Sequence, residues 1–452
     1  MMFSAPRFVV VDDKKEHLDA VLDAFQTLGS PCIGLHFDPA TTLEKNHFRG
    51  VRCLFLDLHL TGGQLGTDHK GDFARIQTIL EDNISERGGP FVLIMWTAHP
   101  HLKDELVAYL EKNLDPARPH ARPLVVMTLA KETFIDGGTG TVKNAQGLRT
   151  EIVNAVSTNP QLSALLGWET DVLAAAAETL ASLVSLVPTE QRTSAQFSGA
   201  LDTMLSRLAR ESVGLPNVDA DHRAAISAAL APILIDRIMN QHVPKATKDL
   251  WEKAVTRHAD PHLEDASPAE AGQINRMLHL ALPAFEKIRA TDWGAVAAWP
   301  YEWTDDELTK RMGLTIGQML GGQFLVERKD RGRCTQRLVR IGATCDYAQS
   351  RPGPITYLLG FEIPEDAERK KDGKGQAIRL SDAIWTSPVF LTMESTGPVR
   401  LHVHVRFALN TLPGACAGWT ACYRLREQLL MNLISFESNY GSRPGIVQLP
   451  VK

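Results

Sequence analysis

Val51-Arg52-Cys53-Leu54-Phe55-Leu56-Asp57 is an apolar run that stops abruptly at a carboxylate. Three other runs do the same. Phe8-Val9-Val10-Val11 meets Asp12-Asp13, Phe91-Val92-Leu93-Ile94-Met95-Trp96 meets Thr97, and Leu124-Val125-Val126-Met127-Thr128-Leu129-Ala130 meets Lys131. Short continuous apolar runs read as strands buried on both faces, which is the mark of a parallel sheet. A further strand is expected near Cys32–Phe37. Helical spacing recurs between the strands: Leu18, Val21, Leu22 and Phe25, then Phe73–Leu80, then Leu102, Leu106, Val107 and Leu110. Strands alternating with helices predict a doubly wound α/β sheet of five strands over residues 1–140. The polar residues that end the runs then gather at the C-terminal edge, where open parallel sheets bind ligands.

The 452 residues are enough for two to four domains, each with its own core. With 44% hydrophobic and 22% charged residues, the composition is that of a globular protein. A net charge of −5 provides no global field to hold nucleic acid or an anionic membrane. No apolar run approaches the roughly 20 residues that span a bilayer. The chain enters a strand without a charged-then-apolar signal segment, and its six cysteines are scattered rather than paired. A cytoplasmic, reduced protein is expected.

Beyond Gly137-Gly138-Thr139-Gly140, a predicted domain exit, residues 141–290 read as an all-α region. Helices are expected over Ala164–Val187 (ended by Pro188), Leu201–Leu208, Ala224–Met239 and Gln273–Leu280, with a polar loop at His258–Pro268. The long helix 164–187 is a candidate homodimer or partner surface as well as a candidate core element. Residues 291–452 change texture again. Strands are predicted at Gln336–Ile341, Ile355–Phe361, Val389–Met393 and Val399–Phe407, an exposed turn at Glu365–Gly375 and a last helix at Tyr423–Glu437, giving an α+β region.

Carboxylates, a hydroxyl and an ammonium at one sheet edge suit the binding of a divalent metal and a phosphoryl group. A lone Asp after a strand is usually a turn former or helix cap, so the weight lies in the joint pattern. In that pattern residues 1–135 resemble the receiver domain of bacterial response regulators. The resemblance implies a flavodoxin-like sheet of order 2-1-3-4-5. It also implies a Mg²⁺ site at Asp12, Asp13, Asp57 and the backbone carbonyl of His59, with Asp57 as the phosphoacceptor and Thr97 and Lys131 on the phosphoryl oxygens. A histidine kinase would be the donor, and the chemistry at most self-phosphorylation on Asp57 followed by slow autodephosphorylation.

Three departures from that family bear on output. Glu132 stands where Pro usually follows the Lys, Thr128 where an aromatic is common, and Leu60-Thr61 where Met-Pro is usual. They suggest a site that stores phosphate rather than signals through the usual switch. His59 and His99 flank the path of the hydrolytic water in the family, where imidazoles would lengthen the phosphoryl lifetime; the plain reading is two solvated loop residues. A receiver followed by helical and α+β regions also resembles variant receivers of bacterial anti-phage defence operons. In Detocs-type systems such a component is a phosphate buffer that competes with a second receiver fused to an effector. Two other functions remain: a DNA-binding transcriptional regulator, and a degenerate receiver that only docks proteins.

Other motifs are weaker. Thr304–Thr315, with Gly313 at the turn, has the cadence of a helix-turn-helix, but Ile316–Gly322 is Gly-rich for a recognition helix. Cys345, His402, His404, Cys416 and Cys422 are zinc-ligand types without zinc spacing, so satisfied or surface histidines are expected. Cys345 as a nucleophile has no identifiable base. Arg424, Arg426 and Arg443 form a local basic cluster that suits the end of a helix.

Overall fold

The computed structural model describes residues 7–443 apart from 28, 30, 41, 61–68, 87, 137–140, 193–194, 344–345, 348–352 and 393. The Gly-rich stretch Thr61–Gly66, the exit Gly137–Gly140, Cys345 and Pro444-Gly445 lie outside the described residues. The chain forms two compact units, one of residues 1–173 with 242–258, the other of residues 174–241 with 259–452.

The first unit is built on five parallel strands in the order β2-β1-β3-β4-β5. They are β1 (Phe8–Asp12), β2 (Cys32–His36), β3 (Cys53–Asp57), β4 (Val92–Thr97) and β5 (Val125–Ala130). The predicted strand order is the observed one. β3 and β4 are buried at every residue, because helices cover both faces. One face packs on α1 (Lys15–Thr27) and α5 (Ala145–Ser157) through Leu18, Val21, Phe25, Leu148 and Ile152. The other packs on α2 (Lys70–Asn83) and α3 (Lys103–Asn113) through Phe73, Ile76, Leu80, Leu106 and Leu110. Between β2 and β3 the described residues form the 3₁₀ turn Lys45–Phe48 in place of an α-helix, and its Phe48 plugs that face. After β5, α4 is one turn long (Lys131–Phe134). Aromatic rings cross the α1 face in sequence: Phe8, Phe25, Phe55, Trp96 and Phe134.

The helical region contains α6 (Pro160–Ser185), α7 (Phe197–Val213), α8 (Leu215–Ala220), α9 (His222–Asn240), α10 (Lys245–Ala254) and α11 (Pro268–His279). α6 is long and apolar, and Leu165, Trp168, Leu173 and Leu180 on it, with Leu186 just beyond, are each at least half exposed. No described helix is long and apolar enough to cross a membrane.

In the second unit lies a seven-stranded antiparallel sheet in the order β10-β11-β9-β8-β7-β12-β6. The strands are β6 (Leu280–Ala281), β7 (Ala295–Ala298), β8 (Thr335–Ile341), β9 (Ile355–Pro364), β10 (Ile384–Phe390), β11 (Val399–Thr411) and β12 (Ala421–Leu425). Alternation sorts the side chains between two cores. Val339, Leu358 and Val403 face the closing helix Glu427–Gly441, and Leu338, Leu359 and Phe361 face α12 (Asp305–Met312) and the turns after it.

β6 and β7 were not among the predicted strands, and two predicted elements are displaced. The last helix begins at Glu427, because Ala421–Leu425 pairs with β6 and β7 and buries Tyr423. The strand expected at Val389–Met393 runs from Ile384 to Phe390 instead, drawn back by its ladder with β11. Beside it, the Asn275 amide of α11 donates to the Val389 carbonyl at 2.9 Å, and the Leu391 N–H donates to the Gly272 carbonyl at 3.2 Å.

Candidate functional site

The ends of β1, β3, β4 and β5 bring Asp12, Asp57, Thr97 and Lys131 to one edge, and all four are buried. Each sits where the chain leaves a buried strand, so the backbone is held by the sheet and only the side chain has freedom. Local turns set the rotamers. The Lys14 N–H donates to Asp12 Oδ1 at 2.9 Å, the His59 N–H to Asp57 Oδ1 at 3.3 Å, and the His99 N–H to Thr97 Oγ1 at 3.0 Å. With its oxygen already accepting, the Thr97 hydroxyl has its proton left to donate.

Lys131 holds the centre. Its Nζ lies 2.7 Å from Asp12 Oδ2 and 2.7 Å from Asp57 Oδ2. Asp13 stands beside them, with one ligand oxygen each of Asp12, Asp13 and Asp57 mutually within 4.8 Å. Three carboxylates share one ammonium, an excess of acidic groups that a divalent cation would balance. Asp13 Oδ1 is buried and has no hydrogen-bond partner among the described residues. An orphaned carboxylate oxygen is costly unless a cation takes it. The octahedral oxygens of Mg²⁺ lie about 3–4 Å apart, so this donor set fits that ion. Burial, and then the charge of Asp57, raise the Asp12 carboxyl above its ordinary range, while Lys131 opposes them.

His17, not singled out from the sequence, belongs to the same edge. Its Nδ1 is 3.4 Å from Lys131 Nζ and 4.0 Å from Asp12 Oδ1. Burial, then the Lys131 charge, lower its pKa. The signal for it was its place in the first turns of the helix after Asp12-Asp13. Around the rim, the His59 Nδ1 lies 3.1 Å from Asp72 Oδ2. His99 packs edge-on against the His59 ring, centroids 5.2 Å apart.

No family model matches this chain, and neither a curated protein nor a solved structure is found to be similar to it. The sheet order is nevertheless that of a flavodoxin-like fold, and the acidic cluster at its C-terminal edge is a candidate metal site.

The other sequence motifs are not brought into a site. The helix-turn-helix cadence is real locally: Thr304 caps α12 by accepting from the Glu307 N–H, and Gly313 takes φ +76° at the turn. Past the turn come three helical residues, Ile316–Gln318, and a π-turn whose Met319 and Leu320 are buried. That segment presents no recognition helix. His402 and His404 are buried with separate partners, Thr386 Oγ1 at 2.9 Å and Gln323 Oε1 at 3.2 Å. Cys416 Sγ lies 3.3 Å from the Tyr357 hydroxyl, which donates to the Ala290 carbonyl at 2.9 Å. These are satisfied core groups, as expected.

Proposed function

We propose that the first unit is a phosphoacceptor of the receiver type, with Asp57 as the residue that takes the phosphoryl group from a phosphohistidine donor. The observation that carries the reading is Lys131, whose ammonium is 2.7 Å from both Asp12 and Asp57, beside the orphaned oxygen of Asp13. Asp57 attacks phosphorus through a carboxylate oxygen. The O–P bond forms as the N–P bond breaks, and the imidazole leaves with the electron pair and takes up a proton. Mg²⁺ held by Asp12, Asp13, Asp57 and the His59 carbonyl would neutralise charge on the reacting oxygens. Lys131 would pass from Asp57 to a phosphoryl oxygen, and Thr97 would donate to another. Positioning and fixed charge do the work, as in phosphoryl transfer generally.

Within this reading the site stores phosphate rather than announcing it. Support comes from Thr128, which lacks the ring that commonly reports movement of the strand-4 hydroxyl, and from Glu132 in place of Pro. The aromatic near Thr97 is Trp96, fully buried between Phe55 and Phe134 on the α1 face. The wider setting, a phosphate sink in an anti-phage relay that competes with a second receiver-effector protein, rests on architectural resemblance alone.

The test is to incubate the full chain with acetyl phosphate and Mg²⁺ and follow the intact mass. A hydroxylamine-sensitive phosphoryl adduct that needs Mg²⁺ and disappears in Asp57→Asn is expected. Absence of an adduct from both acetyl phosphate and a phosphohistidine donor would overturn the reading in favour of a docking module.

A further inference from the structure

Beside the acidic cluster, on the outer side of His59, lies a second constellation of different chemistry. His59, His69 and Asp72 each offer one ligand atom, and these atoms lie mutually within 4.8 Å. His59 Nδ1 is 3.1 Å and His69 Nδ1 3.8 Å from the same oxygen, Asp72 Oδ2. We propose that these three side chains bind a borderline transition-metal ion, Zn²⁺ foremost, at a site separate from the one for Mg²⁺.

Donor chemistry separates the two sites. Mg²⁺ takes hard oxygens and keeps several waters, whereas two imidazoles and one carboxylate are the ligands of zinc and its neighbours. The spacing also agrees. At metal–ligand bonds of about 2.0–2.1 Å, tetrahedral ligand atoms lie about 3.3 Å apart. The two observed separations to Asp72 bracket that figure. Three protein ligands leave the fourth position open to water or to a small ligand.

The carboxylate is also held from its other side. Asp72 Oδ1 faces Arg75 Nη1 at 3.9 Å, which leaves Oδ2 to the imidazoles and orients the carboxylate. His69 packs against His59 at 5.6 Å between centroids and His99 at 5.2 Å, forming two walls around it. His69 and Asp72 lie at the start of α2, three residues apart, where they share a helix face.

The site also reaches the proposed phosphoacceptor. The His59 backbone N–H that contacts Asp57 Oδ1 belongs to the residue whose ring would bind the ion. A bound ion would tie residue 59 to the start of α2. That consequence rests on the phosphoacceptor reading, whereas metal binding itself does not.

The experiment titrates metal-stripped full-length protein with Zn²⁺ against a chromogenic chelator, in excess Mg²⁺. Wild type is expected to hold one equivalent. His69→Gln and Asp72→Asn should each weaken binding by about 10–100-fold or more, since loss of a merely orienting partner already costs that much. Asp13→Asn should leave it unchanged. X-ray absorption of the loaded protein should show imidazole nitrogens around the metal. The proposal is overturned if wild type takes up no Zn²⁺, or if both variants at 69 and 72 retain wild-type affinity. Loss in Asp13→Asn with retention in His69→Gln would overturn it too, by placing the ion in the acidic cluster. Because the readout is metal binding, failure of phosphorylation leaves this result intact, and the reverse holds.

Discussion

Lys131 and Asp12, 119 positions apart in the chain, are joined by a hydrogen bond of 2.7 Å inside the edge of the parallel sheet. The same ammonium serves Asp57, so one cation answers two buried carboxylates. Replacing Lys131 with Gln leaves that charge uncompensated, and breaking such a pair costs about 3–5 kcal/mol. The expected outcome is a lower unfolding midpoint, recovered in part by Mg²⁺, so that Mg²⁺ stabilises the variant more than wild type. Phosphoryl transfer should fall by about 10²–10³, the cost of one preorganised charge donor. Equal Mg²⁺ responses in thermal unfolding would show that the ammonium does not offset the acidic cluster.

His59 and His99 stand together at the rim of this edge, their backbone N–H groups on Asp57 and Thr97. If their rings obstruct the hydrolytic water, His59→Asn and His99→Ala will shorten the lifetime of the Asp57 phosphoryl group. Decay of the purified phosphorylated chain, followed by mass, measures this. Unchanged lifetimes in both variants remove the obstruction argument.

Arg337 and Glu362 form a two-pronged pair of 2.9 and 3.0 Å across β8 and β9, each under 4% exposed. The Tyr423 hydroxyl donates to the same carboxylate at 2.8 Å, and burial and that carboxylate raise its pKa well above the usual range. Glu362→Gln should destabilise the second unit by up to about 3–5 kcal/mol, since the buried guanidinium would keep as counter-charge only the exposed carboxylate of Glu394. Tyr423→Phe should cost only about 1–3 kcal/mol, because one acceptor site is left unfilled. Urea denaturation ranks the two; the reverse order contradicts the account.

Burial, with the charges of Arg369 and Arg400, holds His402 down at about 3, and burial with Arg406 holds His404 at about 4. Both are therefore neutral in the fold, while an unfolded imidazole titrates near 6.5. Above that pH neither state carries the proton and stability is full. As pH falls below it, only the unfolded chain gains protons, so stability drops by about 1.4 kcal/mol per pH unit for each histidine. The loss levels off below the folded values. His402→Gln should flatten the dependence of the unfolding midpoint between pH 6 and pH 4. An unaltered slope would mean that this imidazole is not kept neutral.

The first unit was legible because strands buried on both faces leave an unbroken apolar run, and each run ended in a residue unfit for the core. That reading placed Asp12, Asp57, Thr97 and Lys131 at one edge before any geometry. The second unit was harder. β6 and β7 are short and alanine-containing, and their partners lie far along the chain: Leu280 pairs with Leu425. Tyr423 and Leu425 also continue the apolar spacing of the helix behind them, so periodicity alone drew the helix back over β12. At Gly313 the local signal was right about the turn, but local signals say nothing about whether the next residues face water. Arg337 and Glu362 show only as charges in apolar strands. The grouping of His59 with His69 and Asp72 was invisible, since no secondary-structure period links residue 59 to the start of α2.

The seven-stranded sheet has two margins, and both are finished. On one, β6 is two residues long; on the other, β10 carries Pro388 and meets α11 through Asn275 and Gly272. A proline offers no N–H to a newcomer, and a margin met by a helix offers fewer free carbonyls. Another chain would find little backbone on which to extend this sheet. Strand addition is disfavoured at both margins, and the long strands between them can stay apart in a crowded solution.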